Sequence, residues 1–367
     1  MTGAYFSVGE LLACVNAIVI EDGAREPSLK TVPKPEPAPG EALVRTLRVG
    51  VDGTDHEVIV GGHGGSPADE DFLILGHEAV GVVEDPGDTD FERGDVVTPT
   101  VRRPPPTGPN EYFERGGADM APPEATVERG IDRAHGFMSE YFTSPAEFLV
   151  PVPEELAELG FLIEPASITE KALELAEASR TSFAWDPETA LVLGNGSLGI
   201  LTVAILVDGM EVYCLGRRDR PDPTIDIVEK LGATYVDSRE TPVDEIPDVH
   251  EPADLIYEAT GYAKHAFQSI DALAPNGVAA LLGVPEAWNF EIDGGRLHGE
   301  LVLKNKALVG SVNSGPRHFR AGIERLQSLP SWFFEDYLTR VVHYESFEEA
   351  FERSETTIKT AVAFDSL

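Results

Sequence analysis

Six consecutive residues, Gly194-Asn195-Gly196-Ser197-Leu198-Gly199, spell the pattern G-x-G-x-x-G. They lie between an apolar run of strand type at 190–193 and an unbroken apolar run at 200–207 that suits a buried crossover helix. The first glycine permits a tight turn, the second lets the backbone approach a pyrophosphate, and the third lets helix and strand pack closely. The helix N-terminus then faces the phosphate charge. In a chain of 35 glycines the pattern alone says little, but its strand and helix flanks make it a candidate dinucleotide site. The next strand-like run, 211–215, ends in Gly216-Arg217-Arg218, where NAD-specific proteins usually carry an acidic residue. Two guanidinium groups suit a 2′-phosphate, so NADP is expected, with NAD possible. A glycine turn followed by two solvated arginines is the plainer alternative.

Two patterns of elements surround that stretch. Strand-like and helical runs alternate through 254–259, 277–283 and 306–312, which implies a doubly wound parallel sheet. A helix is expected from Glu164-Pro165, with Ile168, Ala172, Leu175 and Ala176 on one face. Upstream, short apolar runs at 16–20, 76–83 and 94–97, and an alternating run at 41–49, are punctuated by proline and glycine through about residue 153. That spacing fits an all-β, barrel-like domain. A helical segment at 317–329 and a strand at 360–364 close the chain, and no repeat of 20–50 residues is seen.

The 367 residues favour two domains. Acidic residues number 64 against 28 basic ones, a formal net charge of -36, and they are spread along the chain rather than gathered in blocks. Such a surface repels itself at low ionic strength and is relieved in molar salt, where screening shortens to about 3 Å. A high-salt cytoplasm is therefore expected, and nucleic acid and anionic membranes are excluded as partners. The two cysteines, Cys14 and Cys214, form no metal or disulfide pattern. No apolar run reaches the roughly 18 residues that span a bilayer, and the start lacks the marks of a signal peptide.

Asp52, His77 and Glu164, taken singly, read as a turn former, a barrel histidine and a helix-capping carboxylate. Taken together, Val51-Asp52-Gly53-Thr54-Asp55-His56, Leu75-Gly76-His77-Glu78-Ala79-Val80-Gly81, Phe161-Leu162-Ile163-Glu164-Pro165 and the glycine motif resemble the zinc-dependent medium-chain alcohol and sugar dehydrogenases. Strings such as Pro99-Thr100-Val101-Arg102-Arg103-Pro104-Pro105 narrow the resemblance to the halophilic archaeal glucose dehydrogenases. The likeness begins near Val15. It implies an N-terminal extension at 1–14, a GroES-like catalytic domain from 15–165 and 314–367, and a Rossmann domain inserted at 166–313.

The resemblance also implies a catalytic zinc held by Asp52, His77 and Glu164, with Glu78 in or beside the coordination sphere. Thr54 would head a proton relay, making Thr54, Glu78 and Glu164 catalytic. Thr54, Glu128, Glu164 and Asn313 would contact a sugar. Leu282, Gly283, Val284, Ser311, Val312 and Asn313 would add cofactor contacts at strand ends, and a homo-oligomer, dimer or tetramer, is implied. The expected reaction is oxidation of an aldose, first D-glucose, at the anomeric carbon to a lactone, with NADP as acceptor.

The chain departs from the wider family at three points. Asp52 stands where a cysteine is common, and Glu57 stands where relatives often have the relay histidine. No cysteines lie between 78 and 164 to hold a structural zinc, so the loop at 107–123 must be packed or mobile. Two rivals follow: a zinc-independent NADPH-dependent reductase of the same superfamily, and a non-catalytic nucleotide-binding protein.

Overall fold

The structure, a computed structural model, describes residues 14–367 except 353 and 355, so the expected extension lies outside the described residues but for Cys14. Cys14 already belongs to the strand Cys14–Glu21 and faces Pro33 across an antiparallel pair with Ser28–Pro33. The reason is the exposed-buried alternation, which starts at Cys14 and Val15 rather than at Asn16.

Strand Glu41–Val51 is the spine of the first half. It pairs antiparallel with Glu78–Asp85, Tyr141–Pro145 and Lys359–Ala363 in a seven-stranded sheet. The expected alternation gives way to burial on both faces, with Glu41, Arg45 and Arg48 alone reaching partial exposure. Ala42, Val44, Val49 and Val51 fill the barrel interior, whereas Leu47 joins the core that continues into the second sheet. Strands Cys14–Glu21, Ser28–Pro33 and Phe72–Ile74 form a smaller sheet.

The second sheet has six parallel strands in the order Thr234–Asp237, Glu211–Gly216, Thr189–Leu193, Ala253–Glu258, Leu273–Leu281, Ala307–Gly310. The chain order reverses between Thr189–Leu193 and Ala253–Glu258, which is where a doubly wound sheet opens its ligand crevice. Helix Ser197–Leu206 is buried on all sides from Gly199 onward, as an apolar crossover helix must be. Helix Ile163–Ala178 begins two residues before Pro165, which still falls in the first turn, where no backbone donor is required.

Helix Pro316–Ser328 packs on Ile163–Ala178, and Gly322 permits the approach: a Cβ there would lie 3.2 Å from the Ile163 carbonyl oxygen. The chain then re-enters the first sheet through Leu338–His343 and Lys359–Ala363. No helix among the described residues is long and apolar enough to cross a membrane.

Candidate active site and dinucleotide groove

Strand register assembles one end of the first sheet into an acidic pocket. Gly50 is opposite Glu78, and Val51 is opposite Thr360, so Asp52, Glu78 and Lys359 emerge side by side. Gly50 leaves the room that the Glu78 carboxylate occupies, since a Cβ on it would lie 2.0 Å from Glu78 Oε2.

Asp52 caps helix Gly53–Ile59. Its Oδ1 accepts from the Asp55 amide at 3.1 Å, while Asp55 Oδ2 accepts from the Asp52 amide at 3.0 Å, a reciprocal capping box. Thr54 donates its hydroxyl to Asp52 Oδ2 at 3.2 Å. His77 then stands between two carboxylates, with Nε2 3.6 Å from Asp52 Oδ2 and Nδ1 3.8 Å from Asp55 Oδ1. Both His77 Nδ1 and Asp55 Oδ1 are buried without a hydrogen-bond partner. Donor atoms of His77, Glu78 and Glu164 lie within 4.8 Å of one another, as do those of Asp52, Asp55 and His77. His77 belongs to both groups, so the expected set of Asp52, His77 and Glu164 is reached by bridging them.

The charges in this pocket answer one another. Burial opposes ionisation of Asp52, but His77 outweighs it and holds the carboxyl well below the usual carboxylate range. Burial likewise opposes a charge on His77, and Asp52 and Asp55 override it and raise its pKa well above normal. Glu164 is pushed up to about 8 by burial, against the pull of His77 and with the help of Glu78 and Asp52. Burial also raises Glu78, although Lys359 draws it back. Lys359, 1% exposed, donates to Glu78 and to the Val51 carbonyl at 3.3 Å.

The acids Asp52, Asp55, Glu78 and Glu164 thus face Lys359 and a histidine whose charged form Asp52 and Asp55 favour. A dication fits this pocket better than a proton does. The donors are oxygen and nitrogen, a set that holds zinc and also accepts manganese or magnesium.

Asp52, Thr54, Glu78 and Glu164 line a cavity of about 620 Å³ shared with Gly194, Gly196, Ser197, Leu198, Gly199 and Arg218. Gly194 has φ 114°, and a Cβ on Gly199 would lie 1.8 Å from the Gly194 carbonyl oxygen, so the turn tolerates no side chain at either position. A Cβ on Gly196 would meet nothing within 4 Å, which leaves the backbone open to a pyrophosphate. The cradle therefore fits a dinucleotide.

Asn195 turns inward, donating to Thr224 Oγ1 at 2.6 Å, and Ser197 Oγ lies 2.9 Å from the Tyr337 hydroxyl. Leu282, Gly283 and Val284 line the same cavity, but Arg217 is not among its lining residues. Ser311 and Val312 line a neighbouring hollow that shares residues 282–284. Asn313, in the left-handed region at φ 58°, places Nδ2 3.4 Å from Glu128 Oε1, which also accepts from Arg102 Nε at 2.9 Å. Glu128 and Asn313 are thus together, outside the lining of the main cavity.

Two pocket residues escaped the sequence reading. Asp55 could have been suspected from the D-x-x-D spacing of a capping box, and Lys359 from its place as a lone cation in the apolar run 358–362. The loop at 107–123 is neither loose nor held by apolar packing alone. Buried Asp119 meets Arg317 through two contacts of 3.1 Å and Lys171 at 3.5 Å, and Lys171 also donates to the Asp119 and Val312 carbonyls.

A barrel-like domain with a metal-ready acidic pocket, opening onto the switch point of a doubly wound sheet, defines the zinc-dependent medium-chain dehydrogenase class. Comparison with known proteins carries the assignment further. A family model described as the C-terminus of glucose dehydrogenase matches residues 157–364, and one for the alcohol dehydrogenase GroES-like domain matches 38–154. Glucose 1-dehydrogenase of Haloferax mediterranei is 64% identical over 357 residues, covering 96% of this chain and 100% of the relative. That of Halobacterium salinarum is 61% identical with the same coverage. The solved H. mediterranei glucose dehydrogenase in complex with NADP, Zn and gluconolactone superposes with a TM-score of 0.95 at 63% identity, over 96% of this chain and 100% of that one. The chain belongs to the glucose dehydrogenase family.

Proposed function

We propose that this protein oxidises an aldose, D-glucose first, at the anomeric carbon to the lactone, passing hydride to NADP, with NAD as the lesser acceptor. The observation that carries the proposal is that one cavity joins the glycine turn and Arg218 to Asp52, Thr54, Glu78 and Glu164. The likeness to a dehydrogenase solved with NADP, Zn and gluconolactone supports it. Asp52, His77 and Glu164 would hold zinc, with Glu78 beside them. Once bound, the zinc supplies Lewis-acid stabilisation to the hydroxyl that gives up its proton, and the nicotinamide accepts the hydride.

The chain's own residues do the rest. Thr54 heads the proton relay, its hydroxyl oriented by the hydrogen bond it donates to Asp52, and Glu164 holds a proton in its buried site until a cation displaces it. Gly194, Gly196 and the N-terminus of helix Ser197–Leu206 receive the pyrophosphate, with Asn195, Ser197, Leu198 and Gly199 shaping the turn. Arg217 and Arg218 take the 2′-phosphate. Residues 282–284 and 311–313 place the nicotinamide, and Glu128 and Asn313 hold sugar hydroxyls. The division into 15–165 with 314–367 and 166–313, a homo-oligomer, and a high-salt cytoplasm complete the proposal.

Steady-state turnover of a panel of aldoses with NADP and with NAD, together with lactone detection and metal analysis, tests it. NADPH formation at full rate after zinc is stripped would establish the zinc-independent reading. Cofactor binding without turnover of any aldose would establish a non-catalytic one.

A further inference from the structure

An acidic side chain at Gly216, the last residue of strand Glu211–Gly216, would have to displace the side chains of Asn195 and Tyr235. A Cβ on Gly216 would lie 2.5 Å from Asn195 Oδ1 and 2.8 Å from the Tyr235 ring. The carboxylate that meets Arg218 comes instead from Asp222, whose Oδ2 lies 3.9 Å from Arg218 Nη1. The two side chains differ sharply in freedom: that of Arg218 is 42% exposed and lines the cavity, whereas that of Asp222 is 8% exposed.

Asp222 is also tied in place. It caps helix Pro223–Lys230, and its Oδ1 accepts from the Thr224 amide at 2.9 Å and from the Thr224 hydroxyl. That hydroxyl accepts in turn from Asn195 Nδ2 in the glycine turn. Nearby Asp219 and Asp237 differ, because both are paired with the exposed Arg239 at 2.6 Å, and Asp219 at 84% exposure can turn into solvent. Asp222 cannot swing away when an anion reaches Arg218.

Resting on the dinucleotide reading above, we propose that Asp222 is a specificity-determining residue that restrains the preference for a 2′-phosphorylated cofactor. A phosphate gripped by Arg218 must share the guanidinium with a fixed carboxylate, and a buried charge is screened by salt much less than an exposed one. A cofactor with a free 2′-hydroxyl brings no second negative charge and does not meet this repulsion. Asp222 thus keeps both cofactors within reach of one site, and the arginines set the direction of the preference.

The test is fluorescence titration of NADPH and NADH onto the full chain in molar salt. Asp222→Asn keeps a capping oxygen and loses the charge. It is expected to lower the Kd for NADPH by about three- to tenfold and to move that for NADH by less than about twofold. Asp222→Ser, a second capping side chain, is expected to shift the ratio the same way. A selective weakening of NADPH would mean that Asp222 only aims Arg218, and would overturn the proposal. So would an unchanged ratio in both variants, whether the two cofactors bind as before or weaken together. Arg217→Ala with Arg218→Ala is the separate control, expected to lose NADPH selectively. If that pair leaves the ratio unchanged, the arginine reading itself fails.

Discussion

Two buried ionic clusters lie at opposite ends of this molecule's chemistry. Around His77, carboxylates from Asp52, Asp55, Glu78 and Glu164 face Lys359, and two buried polar atoms have no partner. Around Asp119, the carboxylates of Asp119, Glu128 and Glu174 meet Arg102, Lys171 and Arg317, three charges against three. None of that second cluster's side-chain atoms is among the buried, unpartnered ones of the described residues. His318 completes it with Nδ1 accepting from the Gly315 amide, which leaves Nε2–H to donate to Glu174. A balanced cluster needs no further charge and works as a clasp. An unbalanced one stores a demand for positive charge, and that demand marks the reaction site.

The sharpest way to break this comparison is to truncate one acid from each cluster. Asp52→Ala removes a proposed ligand and is expected to lose bound zinc and lower kcat by at least about 100-fold, with the fold retained. Zinc analysis, circular dichroism and turnover on the same sample check it, and full activity would remove Asp52 from the site. Asp119→Ala should do the reverse. It strands Lys171, whose side chain is 3% exposed, and is expected to cost about 3 kcal/mol of stability while zinc content per folded chain stays unchanged. Denaturant unfolding in molar salt measures the cost, and loss of zinc without loss of stability would dissolve the distinction between the clusters.

The sequence disclosed these clusters unequally. The Rossmann half was legible because its signals are local: apolar strand, glycine turn and apolar helix follow one another within residues 190–207. His77, Glu78 and Glu164 were found by resemblance, since each alone looks ordinary. Lys359 was missed because it sits 281 residues from Glu78 and reaches it only through strand register, a long-range fact that no local pattern encodes. The second cluster was hidden for the same reason: Arg317 lies 198 residues from Asp119. The departure at 107–123, seen as an absence of cysteines, has an ionic answer assembled from distant helices.

A pH series sharpens the contrast further. With Glu164 raised to about 8, the metal-free folded chain keeps a proton that the unfolded chain has already released near the ordinary glutamate value. The stability linked to that proton is fully present below the unfolded pKa, and it is lost as pH rises toward 8. Zinc ligation favours the ionised carboxylate and should abolish the loss. The expected outcome is a gap in Tm between zinc-loaded and stripped protein that widens by several degrees from about pH 5 to pH 8, and that Glu164→Gln narrows to the part due to His77, whose pKa is also raised. A gap constant across that range would mean that Glu164 does not compete for the metal. Asp119→Ala should leave the widening in place, because its cluster is already neutral in sum.

The smallest effect belongs at the rim of the clasp, where burial rather than partner number decides the outcome. Arg317 holds both Asp119 and Glu174, at 3.1 Å and 2.9 Å, so distance alone would rank the two acids nearly alike. The Asp119 side chain is fully buried and that of Glu174 is 46% exposed. Water can replace Arg317 at Glu174 and salt can screen the pair, so Glu174→Gln is expected to cost no more than about 1 kcal/mol. Salt separates the two acids more cleanly than magnitude does. The chain as a whole, at a net charge of -36, should gain stability between low and molar salt as its surface carboxylates cease to repel one another. Against that rising baseline the deficit of Glu174→Gln should vanish in molar salt, while the deficit of Asp119→Ala should persist, because a screening length of about 3 Å does not reach a buried pair. Unfolding midpoints of the three proteins across a salt series check this. Equal salt sensitivity of the two deficits would show that the clasp is a surface feature and that its burial does no electrostatic work.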